Sequence, residues 1–328
     1  MGRYFSVVSA LPSTVFFAYV YVLIRTGAWS GPVRWSAVVD FDPAQLVVVG
    51  LAALVLSLAL NPLQVELIRL FEGYWGSRPL AQELATMRIM HHRRALAAHR
   101  GEATAAAKDL DAERLADDDA PPETVARAVR LFTHNRAAAG YPERPSQVLP
   151  TRLGNVLRSY ESRVGRPYGI DAIRTVPRLA MVAGEREIAY LENQRTQLEL
   201  AIRTALLSLL AAVVTTFFFW WHGWWLLLAL VPYAVAFLSY RGSVALAHEY
   251  GLSMAVLVDL GRFPLYDAMR LPSPRSHDAE YAQNQRLMDV FGFGGANLGR
   301  YAEPVAATSP PDGPPPGGPS PDADTQEA

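Results

Sequence analysis

Histidine and arginine side chains are concentrated in one short stretch, "HHRRALAAHR", which contains His91, His92, Arg93 and Arg94. Imidazole nitrogens bind metal ions and guanidinium groups bind phosphates, so this stretch could serve a metal, a nucleic acid or an anionic lipid. A metal is disfavoured because His92 and His99 lie seven residues apart, whereas a helical metal pair is spaced by four. We predict that the four residues form a basic patch facing lipid, and we expect no nucleic acid.

Other chemical signatures in the chain are incomplete. His248-Glu249 begins like the helix of zinc proteases, but the second histidine would have to stand at position 252, which is a leucine. The glycine-rich stretch "FGFGGANLGR" lacks the Lys-Ser/Thr pair of a phosphate-binding loop. The chain has no cysteine, which excludes thiolate metal sites and cysteine nucleophiles. The patterns therefore predict no catalytic residue, no metal and no cofactor, and they favour a non-enzymatic protein.

The most apolar part of the chain carries one polar, flexible dipeptide at its middle. As a single helix, residues 205–240 would be roughly 54 Å long, far more than a hydrocarbon core of about 30 Å. His222-Gly223 divides the run inside "TTFFFWWHGWWLLLAL", which predicts a transmembrane hairpin with spans at about 203–221 and 224–240. Tryptophan prefers the headgroup zone, so the expected outer anchors are Trp220, Trp221, Trp224 and Trp225. His222 is expected to be solvated at the turn.

Two further apolar runs predict spans at about 5–24 and 44–62, within an N-terminal unit of residues 1–76. Arginines near the spans predict the orientation, because cytoplasmic flanks are enriched in positive charge. Only Arg25 and Arg34 lie in the predicted outer loops, whereas the inner flanks hold Arg3, Arg69, Arg78, Arg186, Arg195, Arg203 and Arg241. The sequence thus predicts a multi-pass protein of the plasma membrane with both termini in the cytoplasm.

The remaining segments complete an all-α fold. Residues 77–184 predict a cytoplasmic helical region, residues 185–290 a helical stalk with the membrane hairpin and a return helix, and residues 303–328 a disordered, proline-rich tail. The expected architecture is a four-helix transmembrane protein with a helical cytoplasmic domain.

Two features of the predicted cytoplasmic part could bind a ligand or partner. An apolar stripe is formed by Ile188, Leu191, Leu198 and Ile202, and it could pack within the chain or form a seam with a protein partner or a second copy. A group of charged residues could bind an anion or form salt bridges with one another. It comprises Arg163, Arg166, Arg174, Arg178, Glu161 and Asp171.

Four blocks carry a resemblance to known proteins: "NPLQVELIRLFEGYWG", "LPTRLGNVLRSYESRVGRPYGIDA", the tryptophan-rich hairpin and "VDLGRFPLYDAMRLPSPR". Over residues 10–290 the chain resembles a group of multi-pass membrane proteins from high-GC, actinomycete-type bacteria. That group has no established activity, cofactor or catalytic residue. The resemblance implies a bacterial plasma membrane and adds nothing about chemistry.

These patterns favour an integral membrane scaffold or signalling component that presents its cytoplasmic domain to a protein partner. The alternative is an oligomeric channel or transporter, although the polar side chains deep inside the spans are only the hydroxyls of Ser57, Ser208, Thr215 and Thr216. An enzyme acting on a lipid is the third hypothesis, and it lacks a recognisable spacing of acid and base groups. Its candidates would be Glu66, Glu72, His91 and His92.

Overall fold

A computed structural model describes residues 2–39, 43–60, 64–108, 110, 119–295, 298 and 301. All regular secondary structure in these residues is helical, which confirms the predicted all-α class. The α-helices of the described residues are α1 (Gly2–Arg25), α2 (Ser36–Val39), α3 (Pro43–Leu60), α4 (Gln64–Glu72), α5 (Pro79–Lys108), α6 (Pro122–Ala139), α7 (Arg152–Arg163), α8 (Ala172–Leu179), α9 (Glu185–Phe219), α10 (Leu230–Ala268) and α11 (His277–Phe291).

Helices α9 and α10 form a long antiparallel pair, against which α1, α4, α7 and α8 pack. α9 has 35 residues and α10 has 39, so they measure about 52 and 58 Å at ~1.5 Å per residue. The chain turns between them at Gly223, whose φ of 55° suits glycine. It then continues as a 3₁₀-helix, Gly223–Ala229. Each helix is longer than the ~30 Å thickness of a hydrocarbon core. The end of each helix next to the turn is apolar (residues 203–219 and 230–240), and we call it the apolar half; the remainder of each helix is its polar half.

Two helical stretches of the described residues are long and apolar enough to cross a membrane, Glu185–Phe219 and Gly223–Ala268. Leu11–Arg25 is a third, shorter apolar stretch. The two long stretches cover most of the predicted spans 203–221 and 224–240, and the shorter stretch overlaps the predicted span 5–24. Their composition is compatible with a membrane protein.

The N-terminal helices lie beside the apolar half of the long pair. α1 packs against α3 and also against α9, and the hydroxyls of Tyr19 and Thr215 lie 2.7 Å apart across the α1–α9 contact. α3 covers most of the predicted span 44–62, whose last two residues lie outside the described residues. The predicted tail 303–328 also lies outside them.

The loop after α1 covers the tryptophan-rich turn. The rings of Trp35 and Trp225 have centroids 5.2 Å apart, and Trp225 also stacks on Trp224 at 4.1 Å. His222 is half-buried rather than solvated, because its Nε2 donates to the carbonyl of Gly31 at 3.0 Å. The expectation of a solvated histidine was therefore wrong: the ring fastens the loop onto the turn.

We use the name helical domain for α4 to α8, the polar halves of α9 and α10, and α11. Two apolar cores lie in this domain, between the long pair and the shorter helices. The near core, next to the apolar half of the pair, joins α7, α9 and α10 through Leu153, Val156, Leu157, Leu198, Ile202, Val244 and Ala247. The far core joins α8, α9, α10 and α11. Its fully buried members include Leu179, Leu257, Val258, Tyr266 and Leu287.

Polar caps fix where the shorter helices begin. The Thr151 hydroxyl accepts from the backbone N–H of Gly154 at 3.0 Å and caps α7. The Asp171 carboxylate accepts from the N–H of Ile173 at 3.0 Å at the start of α8. Ser276 accepts from Ala279 at 3.2 Å at the start of α11. The caps satisfy N–H groups that a helix leaves without an internal partner.

A buried polar network fastens α11 to α10. Glu280 accepts hydrogen bonds from Arg262 Nε at 2.9 Å and from the Tyr266 hydroxyl at 3.1 Å. Asn284 Nδ2 donates to the Tyr266 hydroxyl at 2.7 Å and to the carbonyl of Tyr168 at 2.8 Å. Such a network holds the helices in one arrangement because each buried polar group needs its partner.

Helices α5 and α6 form an antiparallel hairpin with few contacts to the other helices. Leu96 and Ala103 are buried in α5, and the Nδ1 atoms of His99 and His134 lie 3.2 Å apart between the two helices. The hairpin is held to the following segment by Arg93, which donates to the carbonyl of Pro145 at 2.9 Å. It therefore projects from the rest of the helical domain with much of its surface free.

Candidate interaction surface

The predicted stripe of α9 lies inside the chain. Leu191, Leu198 and Ile202 are buried, the first in the far core and the other two in the near core. Ile188 is half-buried. Of the two roles that the sequence left open, the structure uses the stripe for packing within the chain. A partner would therefore have to bind another surface.

The predicted basic patch is divided between solvent and the interior. His91, Arg93 and Arg94 are exposed, whereas His92 is buried and its Nδ1 lies 3.1 Å from the Tyr141 hydroxyl. Burial, followed by the charge of Arg88, lowers the pKa of His92 to about 4. His92 is thus neutral near pH 7 and belongs to the packing of α5. The patch is corrected to His91, Arg93 and Arg94.

The predicted tryptophan anchors all lie at the turn between α9 and α10. Trp220, Trp221 and Trp224 are exposed, which is the placement that interfacial anchors require. Trp225 is half-buried because it packs against Trp35.

Four of the six charged residues that the sequence analysis grouped together, Glu161, Arg166, Asp171 and Arg174, line a cavity of about 450 Å³. Arg158 pairs with Glu161 at 3.0 Å, Arg174 pairs with Asp171 at 3.7 Å, and Arg166 pairs with Glu143. Two further arginines lie apart from these pairs: Arg163 donates to the carbonyl of Tyr141, and Arg178 lies over the ring of Phe291. Carboxylates pair with three of the four arginines that line the cavity, which favours salt bridges over an anion site.

One exposed face of α5 was not identified from the sequence. Leu80, Leu84 and Met87 are 75%, 53% and 61% exposed. Because they recur at steps of four and three residues, they share one side of the helix, and the exposed residues His91 and Arg94 continue that side. We call these five residues the α5 face. It is apolar near the start of the helix and basic further along.

The α5 face points away from the rest of the protein. Gln82, Ala85 and Thr86 border a cavity shared with Glu66 and Arg69 of α4, and Leu96 continues that inner side into the contact with α6. Positions 84 and 87 lie on the opposite side from 82 and 85 in a helix. Clustered exposed apolar side chains rimmed by polar residues are typical of interaction sites. The signal was present as a spacing, but the same spacing is equally typical of a buried face.

Metal chemistry gains no support from the described residues, where no group of three or more histidine, aspartate or glutamate side chains is placed to hold an ion. Comparison with known proteins gives no match among protein-family models, curated proteins or solved structures.

Proposed function

We propose that the chain is an integral membrane scaffold or signalling component that presents its helical domain to a protein partner through the α5 face. The observation that supports this function is the exposure of Leu80, Leu84 and Met87 on a projecting hairpin. Burying apolar surface yields about 25 cal/mol per Å², so leaving three large side chains in water is unfavourable. A partner protein that covers them would remove this cost.

The proposal includes four spans with both termini in the cytoplasm of a plasma membrane. Exposed apolar residues on α3 support it, because Val47, Val48 and Leu51 face outward from the helix bundle. Val213 and Phe217 of α9 are exposed in the same way. Side chains of this kind are stable on a surface that contacts lipid and unfavourable on one that contacts water.

The channel hypothesis would require polar side chains along a pathway through the spans. The Thr215 hydroxyl donates to the carbonyl of Ala211 at 2.7 Å, and Thr216 donates to that of Ala212 at 2.8 Å. These hydroxyls are engaged by their own helix. Glu66, near the inner edge, pairs with Arg69 at 3.0 Å. These contacts favour the scaffold over the channel.

A photo-cross-linking residue on the α5 face tests the proposed function in native membranes. Benzoylphenylalanine at Leu84 should give one adduct of defined mass containing a second protein, because the side chain would lie inside the interface. The same residue at Arg286, exposed on α11, should give none. Leu84→Glu should abolish the complex, because a carboxylate would be buried against apolar surface.

Two results would contradict the scaffold function. An adduct made only of two copies of the chain would show that the α5 face binds a second copy and not a different protein. The absence of any adduct at position 84, together with the mass of a single chain in mild detergent, would leave the α5 face without a partner.

A further inference from the structure

A second arginine-rich cavity, of about 490 Å³, lies between α6, α7 and α10. Its basic lining consists of three arginines and one histidine: Arg136 of α6, Arg152 of α7, and Arg241 and His248 of α10. No carboxylate lines it, and within the described residues none of its three arginines forms a salt bridge. It therefore differs from the cavity beside α8, where each acid pairs with an arginine.

The arginines of this cavity act on His248. Burial, and then the charges of Arg152 and Arg136, lower the pKa of His248, while Glu249 acts in the opposite direction. The charge of Arg163 adds to the lowering. Like charges held together without a counter-charge are unfavourable, and an anion in the cavity would relieve the repulsion.

The position of Arg241 along α10 sets the depth of the cavity. Starting from the tryptophan-rich turn, the 3₁₀-helix of 7 residues at ~2.0 Å per residue and residues 230–240 at ~1.5 Å together cover about 30 Å. That distance equals the hydrocarbon core, so Arg241 follows its inner edge, and His248 lies roughly 10 Å further on. The headgroup layer occupies about 5–8 Å on each side. The cavity thus opens at the depth of lipid phosphates.

Helix α6 has an exposed apolar stripe that leads to this cavity. Val125, Val129 and Phe132 are 43%, 58% and 66% exposed, and their spacing of four and three places them on one side of the helix. Arg136, four residues beyond Phe132, continues that side and lines the cavity. An exposed apolar stripe that ends in a basic residue is typical of a helix lying in the membrane interface.

We infer that this cavity binds the phosphate headgroup of an anionic phospholipid of the inner leaflet, with Arg136, Arg152 and Arg241 as its ligands. In this arrangement α6 lies on the membrane with Val125, Val129 and Phe132 toward the acyl chains. The inference rests on the proposed membrane insertion, because only an inserted α10 holds the cavity at headgroup depth.

Native mass spectrometry of the full-length chain in detergent tests the site by titration with phosphatidylglycerol or with phosphatidylcholine of the same acyl chains. The triple variant Arg136→Gln/Arg152→Gln/Arg241→Gln should bind the first phosphatidylglycerol about a hundredfold more weakly than the wild type, from a factor of about five per arginine. Phosphatidylcholine binding should not change. The variant should fold, because all three arginines are exposed and Arg152 stands at a helix start, where positive charge is unfavourable.

A charge-matched control removes three exposed arginines outside the cavity, in Arg186→Gln/Arg275→Gln/Arg286→Gln. It should bind phosphatidylglycerol like the wild type. Equal affinity of the cavity variant and the wild type, or an equal loss in the control, would overturn the inference. Displacement of the lipid by millimolar inorganic phosphate would also overturn it, because the site would then bind a soluble anion.

Alkaline carbonate extraction of the membranes separates the two possible failures. A chain that is washed off contradicts the membrane function itself. A chain that stays embedded but shows no preference for phosphatidylglycerol contradicts the lipid site alone.

Discussion

Gly154, in the first turn of α7, lies directly against the backbone carbonyl of Glu72 at the end of α4, so a Cβ at position 154 would overlap that oxygen. Next to this contact, a Cβ at Gly73 would stand 2.7 Å from Pro150. Burial and the neighbouring charge of Glu161 raise the pKa of Glu72. The close approach ties α4, which follows the second predicted span, to α7.

Gly154→Ala should destabilise the protein by about 1–3 kcal/mol, because the added methyl group meets backbone that cannot move aside easily. Gly101→Ala, in α5, is the matched control, since a Cβ there meets nothing within 4 Å. It should stabilise by about 0.5–1 kcal/mol, because alanine is the better helix former. Thermal unfolding followed by circular dichroism in detergent compares the two. Stabilisation by both variants would show that α4 and α7 do not touch.

Glu280→Gln should destabilise the protein by about 2–4 kcal/mol, because it leaves the largely buried charge of Arg262 without its counter-charge. The matched control is Glu66→Gln, which breaks the exposed pair with Arg69. That change should cost less than about 1 kcal/mol. Chemical unfolding of both variants measures the difference, and equal losses would mean that Glu280 is solvated.

Acidification should destabilise the protein through His92. Its folded pKa of about 4 lies below the ordinary value of 6.5, so the unfolded chain takes up a proton first as the pH falls. The stability that the neutral ring supports is complete above about pH 6.5 and is lost between there and pH 4. The expected loss is on the order of 3 kcal/mol.

His92→Gln isolates this contribution, because glutamine can still bond to the Tyr141 hydroxyl and does not titrate. Unfolding free energies measured between pH 7 and pH 4 should fall less steeply in this variant than in the wild type. His91→Gln, one residue away on the exposed side, should keep the wild-type slope. An identical slope in all three proteins would place His92 in water.

Local features of the fold were predictable because their causes lie within a few residues. Thr151 caps α7 through an N–H three residues away, and Gly223 permits the turn that divides the apolar run. α9 runs unbroken from Glu185 into the apolar half, as the sequence indicated. Helix periodicity and capping are encoded locally, so a single sequence is sufficient to recognise them.

Neither the environment of His92 nor the arginine cavity could be predicted from local sequence patterns. The partner of His92 is Tyr141, 49 residues further along the chain, so "HHRRALAAHR" looks uniformly basic until the fold buries one ring. The cavity lining of Arg136, Arg152 and Arg241 comes from three helices, and no spacing joins them. Tertiary packing alone decides which arginines meet a carboxylate and which remain without one.

The topology of the chain in its membrane is the most direct test of the account. The absence of cysteine allows single exposed cysteines to be introduced as Ser30→Cys, in the predicted outer loop, and Ser273→Cys, between α10 and α11. In intact spheroplasts a membrane-impermeant maleimide should label position 30 and should reach position 273 only after the membrane is opened. Labelling of position 273 in sealed spheroplasts, or protection of position 30, would contradict the proposed insertion and with it the helical domain's access to a cytoplasmic partner.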